Sequence, residues 1–206
     1  MKRIVVFLSL LLVSAAALAQ TPQEIISRME DAFNAHESEG LIMTVEIKIP
    51  ILGSIATKTY SLGSKLRMDA SSGGTKVISW YDGKTSWTYT SDKNEILVKK
   101  DDGSSAESGG DTAMFSGITE GYDVTLKEET ADAWYFICHK SRTNKEKDAP
   151  KKIDLVISKG TYYPKKLSAS MSSVTMTMRD IDFGVSEEMV TFNPDNYPGA
   201  TIVDKR

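Results

Sequence analysis

From Gly40 onward this chain places apolar residues at every second position, in run after run. Val45, Ile47 and Ile49 alternate with Glu46 and Lys48, and the same period returns at Tyr122-Val124-Leu126, Trp134-Phe136-Cys138, Ile153-Leu155-Ile157 and Val174-Met176-Met178. A period of two puts such side chains on one side of an extended strand. Gly53, Gly63, Gly73-Gly74, Asp92, Gly121 and Gly160 interrupt the runs at short intervals. That rhythm predicts about ten or eleven mainly antiparallel strands, hence a sandwich, a closed barrel or one strongly curved sheet. No period of repeat length is visible.

The densest run is Val77 to Tyr89, where Asp82-Gly83 separates two β-prone segments. Aspartate before glycine suits a two-residue turn with positive φ at both central positions. A turn there pairs Tyr81 with Lys84, Trp80 with Thr85, Ile78 with Trp87 and Lys76 with Tyr89. Alternation then gathers Ile78, Trp80, Trp87 and Tyr89 on one side of the ribbon. Two of the chain's three tryptophans lie there, so that side needs a large apolar cover, either protein or ligand.

Before this β-rich body stand two helical signals of different kinds. Lys2 and Arg3 precede an apolar run from Ile4 to Leu12, and Ser14-Ala15-Ala16-Ala17-Leu18-Ala19 follows. These are the n-region, h-region and small-residue cleavage site of an export leader, cut after Ala19. No cysteine lies at that site to carry a lipid anchor, and no later run is long and apolar enough to span a bilayer as a helix. The expectation is a leader over residues 1–19 and one exported, periplasmic domain over residues 20–206. Loss of Lys2 and Arg3 with the leader takes the formal net charge from −3 to −5, a balance unsuited to nucleic acid. Thr21-Pro22-Gln23-Glu24 then forms a capping box with proline at the first helical position, and Ile25, Ile26, Met29 and Phe33 follow at helical spacing. Cys138 is the only cysteine, so no internal disulfide is expected and the thiol is read as a buried core residue.

One segment breaks the β rhythm. Residues 101–110 are rich in Gly, Ser and acid, and residues 111–118 read as a short amphipathic helix that presents Met114, Phe115 and Ile118. An excursion of roughly twenty residues is long for a β-connection and points to a functional loop. Catalytic chemistry is hard to find. His36 and His139 have no nucleophile spaced to suit them. No metal-ligand ladder, calcium loop or phosphate cradle is present. The expectation is a protein that is not an enzyme and uses no cofactor or metal.

A sheet of this size with only one long helix has more apolar surface than its helices can cover. A sandwich solves this with protein alone; a curved, partly open sheet leaves a cavity able to hold lipid. Several motifs favour the second solution. Asp82-Gly83-Lys84-Thr85-Ser86-Trp87-Thr88-Tyr89, the preceding Lys65-Leu66-Arg67-Met68, the Thr112-Ala113-Met114-Phe115 segment, Thr191-Phe192-Asn193-Pro194 and the run from Gly199 to Arg206 come in that order. In this order they resemble LolA, the periplasmic outer-membrane lipoprotein carrier, and its lipoprotein-sorting relatives.

The resemblance implies an incomplete, half-open antiparallel β-barrel with an N-terminal helix and a short lid helix over its concave face. It implies a carrier that holds the acyl chains of lipoproteins or related lipids for transfer towards the outer membrane. An inner-membrane ABC exporter and an outer-membrane acceptor are the implied partners, and a monomer outside the membrane the implied state. The apolar cavity is expected to use Val45, Ile47, Ile78, Trp80, Trp87, Tyr89, Met176 and Met178, under a lid of Met114, Phe115 and Ile118. The arginine-proline latch of the family is missing, since Ser61-Leu62-Gly63-Ser64 stands in its place. Two alternatives remain open: a periplasmic lipid-sensing regulator on the same scaffold, and a β-sandwich that binds glycans through Trp87 or Tyr162-Tyr163.

Overall fold

A computed structural model describes residues 20–100, 117–171 and 173–206. Helix α1, Pro22–Asn34, opens on the expected capping box: the Glu24 amide donates to Thr21 Oγ1 at 3.2 Å, and the Thr21 amide donates to the Glu24 carboxylate at 2.7 Å. Ile25, Ile26, Met29 and Phe33 are its buried residues.

The strands are β1 Leu41–Ile49, β2 Gly53–Leu62, β3 Lys65–Ser72, β4 Thr75–Tyr81, β5 Thr85–Thr90, β6 Glu95–Lys100, β7 Tyr122–Glu129, β8 Ala133–Lys140, β9 Lys152–Ser158, β10 Pro164–Met171, β11 Val174–Phe183 and β12 Thr201–Asp204; a short helix α2, Glu187–Val190, follows β11. They form one 12-stranded sheet in the order β12-β6-β5-β4-β3-β2-β1-β11-β10-β9-β8-β7. The sheet is not closed. Two antiparallel meanders, β1 to β6 and β7 to β11, meet where β1 pairs with β11. The strand beyond the expected number is β12, which lies parallel to β6. Four residues are too few to display a period, so alternation alone does not reveal it.

The Trp hairpin also differs in detail. Tyr81 pairs with Ser86, Trp80 with Trp87 and Ile78 with Tyr89, two residues out from the expected register. Only Gly83 adopts positive φ, at 92°, and the chain reverses at Gly83-Lys84, with the Asp82 amide donating to Thr85 O at 3.2 Å. Asp82 does not enter the left-handed region. Its carboxylate instead accepts the amides of Lys84 at 2.9 Å and Thr85 at 2.7 Å, a local bond that competes with a backbone turn. A slip of two preserves the face of every side chain. Ile78, Trp80, Trp87 and Tyr89 therefore do share a side.

The sheet is covered on both faces, but in different places. On the face that carries α1, the helix residues pack on Leu41, Met43, Trp134, Phe136, Cys138, Ile153, Leu155, Ile157, Leu167, Ala169 and Met178. Cys138 is fully buried, and desolvation, followed by the nearby Asp154 charge, pushes its thiol up to about 11. On the other face, β4 to β6 bury Trp80, Ile96 and Val98. Their cover is the segment that leaves β11, passes through α2 and runs on to Tyr197.

That segment is pinned along its length. The Val185 amide donates to Glu39 O at 2.8 Å, Lys65 bonds the Glu187 carboxylate, Asn94 Nδ2 donates to Gly199 O at 3.0 Å and the Thr201 amide donates to Asn94 O at 2.9 Å.

Candidate functional site

The eight residues expected to line one cavity do not lie on one face. Val45 pairs with Met178 and Ile47 with Met176, so these four project to the α1 face. Across the other neighbours, Val45 aligns with Thr57, Thr57 with Ala70 and Ala70 with Val77. The β4 residue on the α1 face is therefore Val77. Ile78 aligns with Asp69, Lys58 and Thr44 on the opposite face, and Trp80, Trp87 and Tyr89 go with it. The apolar phase inverts between β1 and β4 because β2 places Thr57, Thr59 and Ser61 where β1 places Val45, Met43 and Leu41.

The aromatic set is covered by protein. Phe192 meets Trp80 with ring centroids 5.3 Å apart and stacks on Trp87 at 5.5 Å; Tyr197 lies 5.6 Å from Trp80 and 4.4 Å from Tyr89. Edge and offset contacts at these separations are the favourable geometries for rings. Arg67 stands 5.6 Å over Trp80 and 5.4 Å over Tyr60, and its guanidinium bonds both Asp69 oxygens at 2.7 and 2.8 Å. Burial draws the Arg67 pKa down, but the Asp69 bonds and charge outweigh it and hold the group above its ordinary value. Burial likewise pushes the Tyr197 phenol up. The sequence carried a signal for this cover in Phe192 and Tyr197, two aromatics flanking proline in a stretch without alternation.

The lid residues divide. Ile118 packs against the α1 core, and the neighbouring Gly117 amide donates to the Glu30 carboxylate at 3.2 Å. Met114, Phe115 and the leader 1–19 lie outside the described residues. Trp87 is stacked and half-buried. Tyr162 accepts from Arg28 Nη1 at 3.1 Å, shares a bond with Gln20 and packs 5.4 Å from Trp134. No group of three His, Cys, Asp or Glu among the described residues is placed to hold a metal. His36 Nδ1 lies 2.6 Å from Glu39 Oε1.

Two open areas stand out among the described residues. On the α1 face, past the end of the core, Ile47 is 41 % exposed and Ile55, directly opposite it, 58 %. Met68 is exposed on the same face, and Val45, Val77, Val174 and Met176 are half-buried beside them. On the opposite face a cavity of about 610 Å³ is lined by Thr44, Ala56, Lys58, Arg67, Asp69, Ala70, Ser71, Lys76 and Ile78. Sequence reasoning did not find that cavity, because its residues come together only once the register of four strands is known. No helix among the described residues is long and apolar enough to cross a membrane.

No protein-family model matches the sequence, and no curated protein matches it. Solved structures do. Lipoprotein LppX of Mycobacterium tuberculosis superposes with a TM-score of 0.50 at 8 % identity, over 81 % of this chain and 98 % of that one. An uncharacterised conserved protein of Thermus thermophilus gives 0.46 at 16 % identity, over 90 % and 100 %. A LolA superfamily protein of Nitrosomonas europaea gives 0.31 at 12 % identity, over 84 % and 99 %. At such identities likeness speaks for the fold alone, which this chain shares with LppX: mainly β, one long open sheet, an N-terminal helix and a short helix.

Proposed function

We propose that this protein is a periplasmic carrier that holds the acyl chains of lipoproteins, or of related lipids, for transfer towards the outer membrane. The observation that carries this reading is the open apolar strip on the α1 face, where Ile47, Ile55 and Met68 remain exposed beside Val45 and Met176. Each acyl methylene removed from water contributes about 0.8 kcal/mol, and a strip of aliphatic and thioether side chains accepts chains of varied shape. The open LolA-like sheet supports the same reading. Trp80, Trp87 and Tyr89 then serve the fold rather than the ligand, and Ile78 faces the cavity on the opposite side of the sheet. Binding and release need no covalent step, and an exporter in the inner membrane and an acceptor in the outer membrane complete the route. The glycan alternative finds less support, since Trp87 and Tyr162 are engaged by neighbouring side chains.

The test is native mass spectrometry of the exported protein followed by solvent extraction and titration with a fluorescent fatty acid. Co-purified acyl species and a saturable site are expected, with Ile47→Asp and Met176→Asp weakening the probe at least about tenfold while circular dichroism is unchanged. Wild-type protein that carries no lipid and takes up no probe would sink the proposal.

A further inference from the structure

The β1–β2 loop is three residues long, Pro50-Ile51-Leu52, because Ile49 still pairs with Gly53. Its two aliphatic side chains are bare: Ile51 is 105 % exposed and Leu52 81 %. Ile51 also has φ of 72°. In that left-handed region Cβ crowds the following carbonyl, and a β-branched residue is a genuine outlier there. One residue thus combines a strained backbone with an unburied apolar side chain, and no contact in the described structure offsets either. Strain of this kind persists at positions that a function holds in place.

The surroundings say what the loop meets. On the α1 face, Ile55 and Ile47 continue its apolar surface down the sheet. On the opposite face, Lys48, Lys58 and Lys76 are exposed and join no ion pair among the described residues. The carboxylates in the same rows are already engaged, Asp69 by Arg67 at 2.7 Å and Glu46 by the Ser54 hydroxyl with Arg179 3.9 Å away. An aliphatic tip with exposed ammonium groups behind it, that of Lys58 lying 5.3 Å over the Tyr60 ring, matches a bilayer that has anionic headgroups, the side chains entering the acyl boundary and the lysines meeting phosphates. We propose that Pro50-Ile51-Leu52 is the element by which this protein docks on an anionic lipid bilayer. The inference rests on the carrier reading. A chain that leaves the bilayer beside Ile51 and Leu52 passes directly onto Ile55 and Ile47.

The experiment is flotation of the exported protein with phosphatidylcholine vesicles, with and without phosphatidylglycerol, alongside fatty-acid probe uptake from solution. Wild type is expected to float with the anionic vesicles. Ile51→Gly and Leu52→Ser should each lower partitioning by about tenfold and leave probe uptake intact. Ile51→Gly, relieved of strain, should melt no lower than wild type. Lys48→Glu should weaken binding on anionic vesicles only, and more so at low salt. The proposal is overturned if wild type does not float or if the loop variants float as it does. Loss of probe uptake together with flotation would assign the loop to the ligand site instead. A change of sedimentation coefficient in the variants would make the occupant a second copy of the chain. Failure of the carrier reading has a separate signature: absent probe uptake with flotation unaffected.

Discussion

Trp80 shows how one side chain can look like a ligand contact and serve as a keystone. It is 4 % exposed, with Phe192, Tyr197 and Arg67 around its ring. Trp80→Ala is expected to cost about 3–5 kcal/mol, read as a lower urea midpoint, with probe affinity unchanged in the molecules that stay folded. A comparable loss of affinity at full stability would return Trp80 to the binding site. Cys138 offers a residue-scale test in pH. Its folded pKa, about 11, is raised above the ordinary thiol value of 9.0. The stability it contributes is complete below pH 9 and is lost as pH rises through 11. Wild type should therefore lose stability over that window in alkaline melts, and Cys138→Ala should flatten the slope.

Among the elements, the turns decide where each strand faces, and glycine geometry ranks their sensitivity. Gly40 has φ of 74°, and a Cβ there would stand 2.6 Å from Ser61 O and 2.8 Å from Val185 Cβ. Gly63 has φ of 55° and open space around it. Gly63→Ala should cost only the left-handed penalty, roughly 1–2 kcal/mol. Gly40→Ala should cost clearly more, because the β2 backbone must move as well; equal melting temperatures for the two would refute this ranking. The same elements mark what can be read from sequence. The capping box of α1 and four strands of the second meander, β7, β8, β9 and β11, are legible from residue type and period alone. The Asp82-Gly83 register is not, because the Asp82 carboxylate takes the Lys84 and Thr85 amides in place of a backbone turn. Nor is β12, whose partner Glu95–Val98 lies about a hundred residues away.

At the scale of the molecule, one continuous sheet carries two apolar cores on opposite faces, and the open strip lies where the first ends. Alternation reveals that each strand has an apolar side but not that β4 and β1 use different sides. That needs the chain of pairings through β2 and β3. Of the eight residues expected to line one cavity, Val45, Ile47 and Met176 border the open strip, Met178, Trp80, Trp87 and Tyr89 are packed against protein, and Ile78 lines the cavity of the opposite face. The division predicts two zones in hydrogen exchange. β8 to β10, under α1, should exchange slowest. β12 and the outer half of β6 should open first, since they depend on the segment through Phe192 and Tyr197. Uniform protection across all twelve strands would contradict it.

The cover of the Trp80 face also comes from far along the chain. Phe192 and Tyr197 follow Trp80 by more than a hundred residues, so Trp80, Trp87 and Tyr89 have nothing to lie against until that stretch has been synthesised. A nascent or nicked chain that lacks this stretch presents a sticky aromatic flag to chaperones and proteases. Arrival of that stretch is thereby written on the surface, and surveillance machinery can distinguish a molecule that has it from one that lacks it.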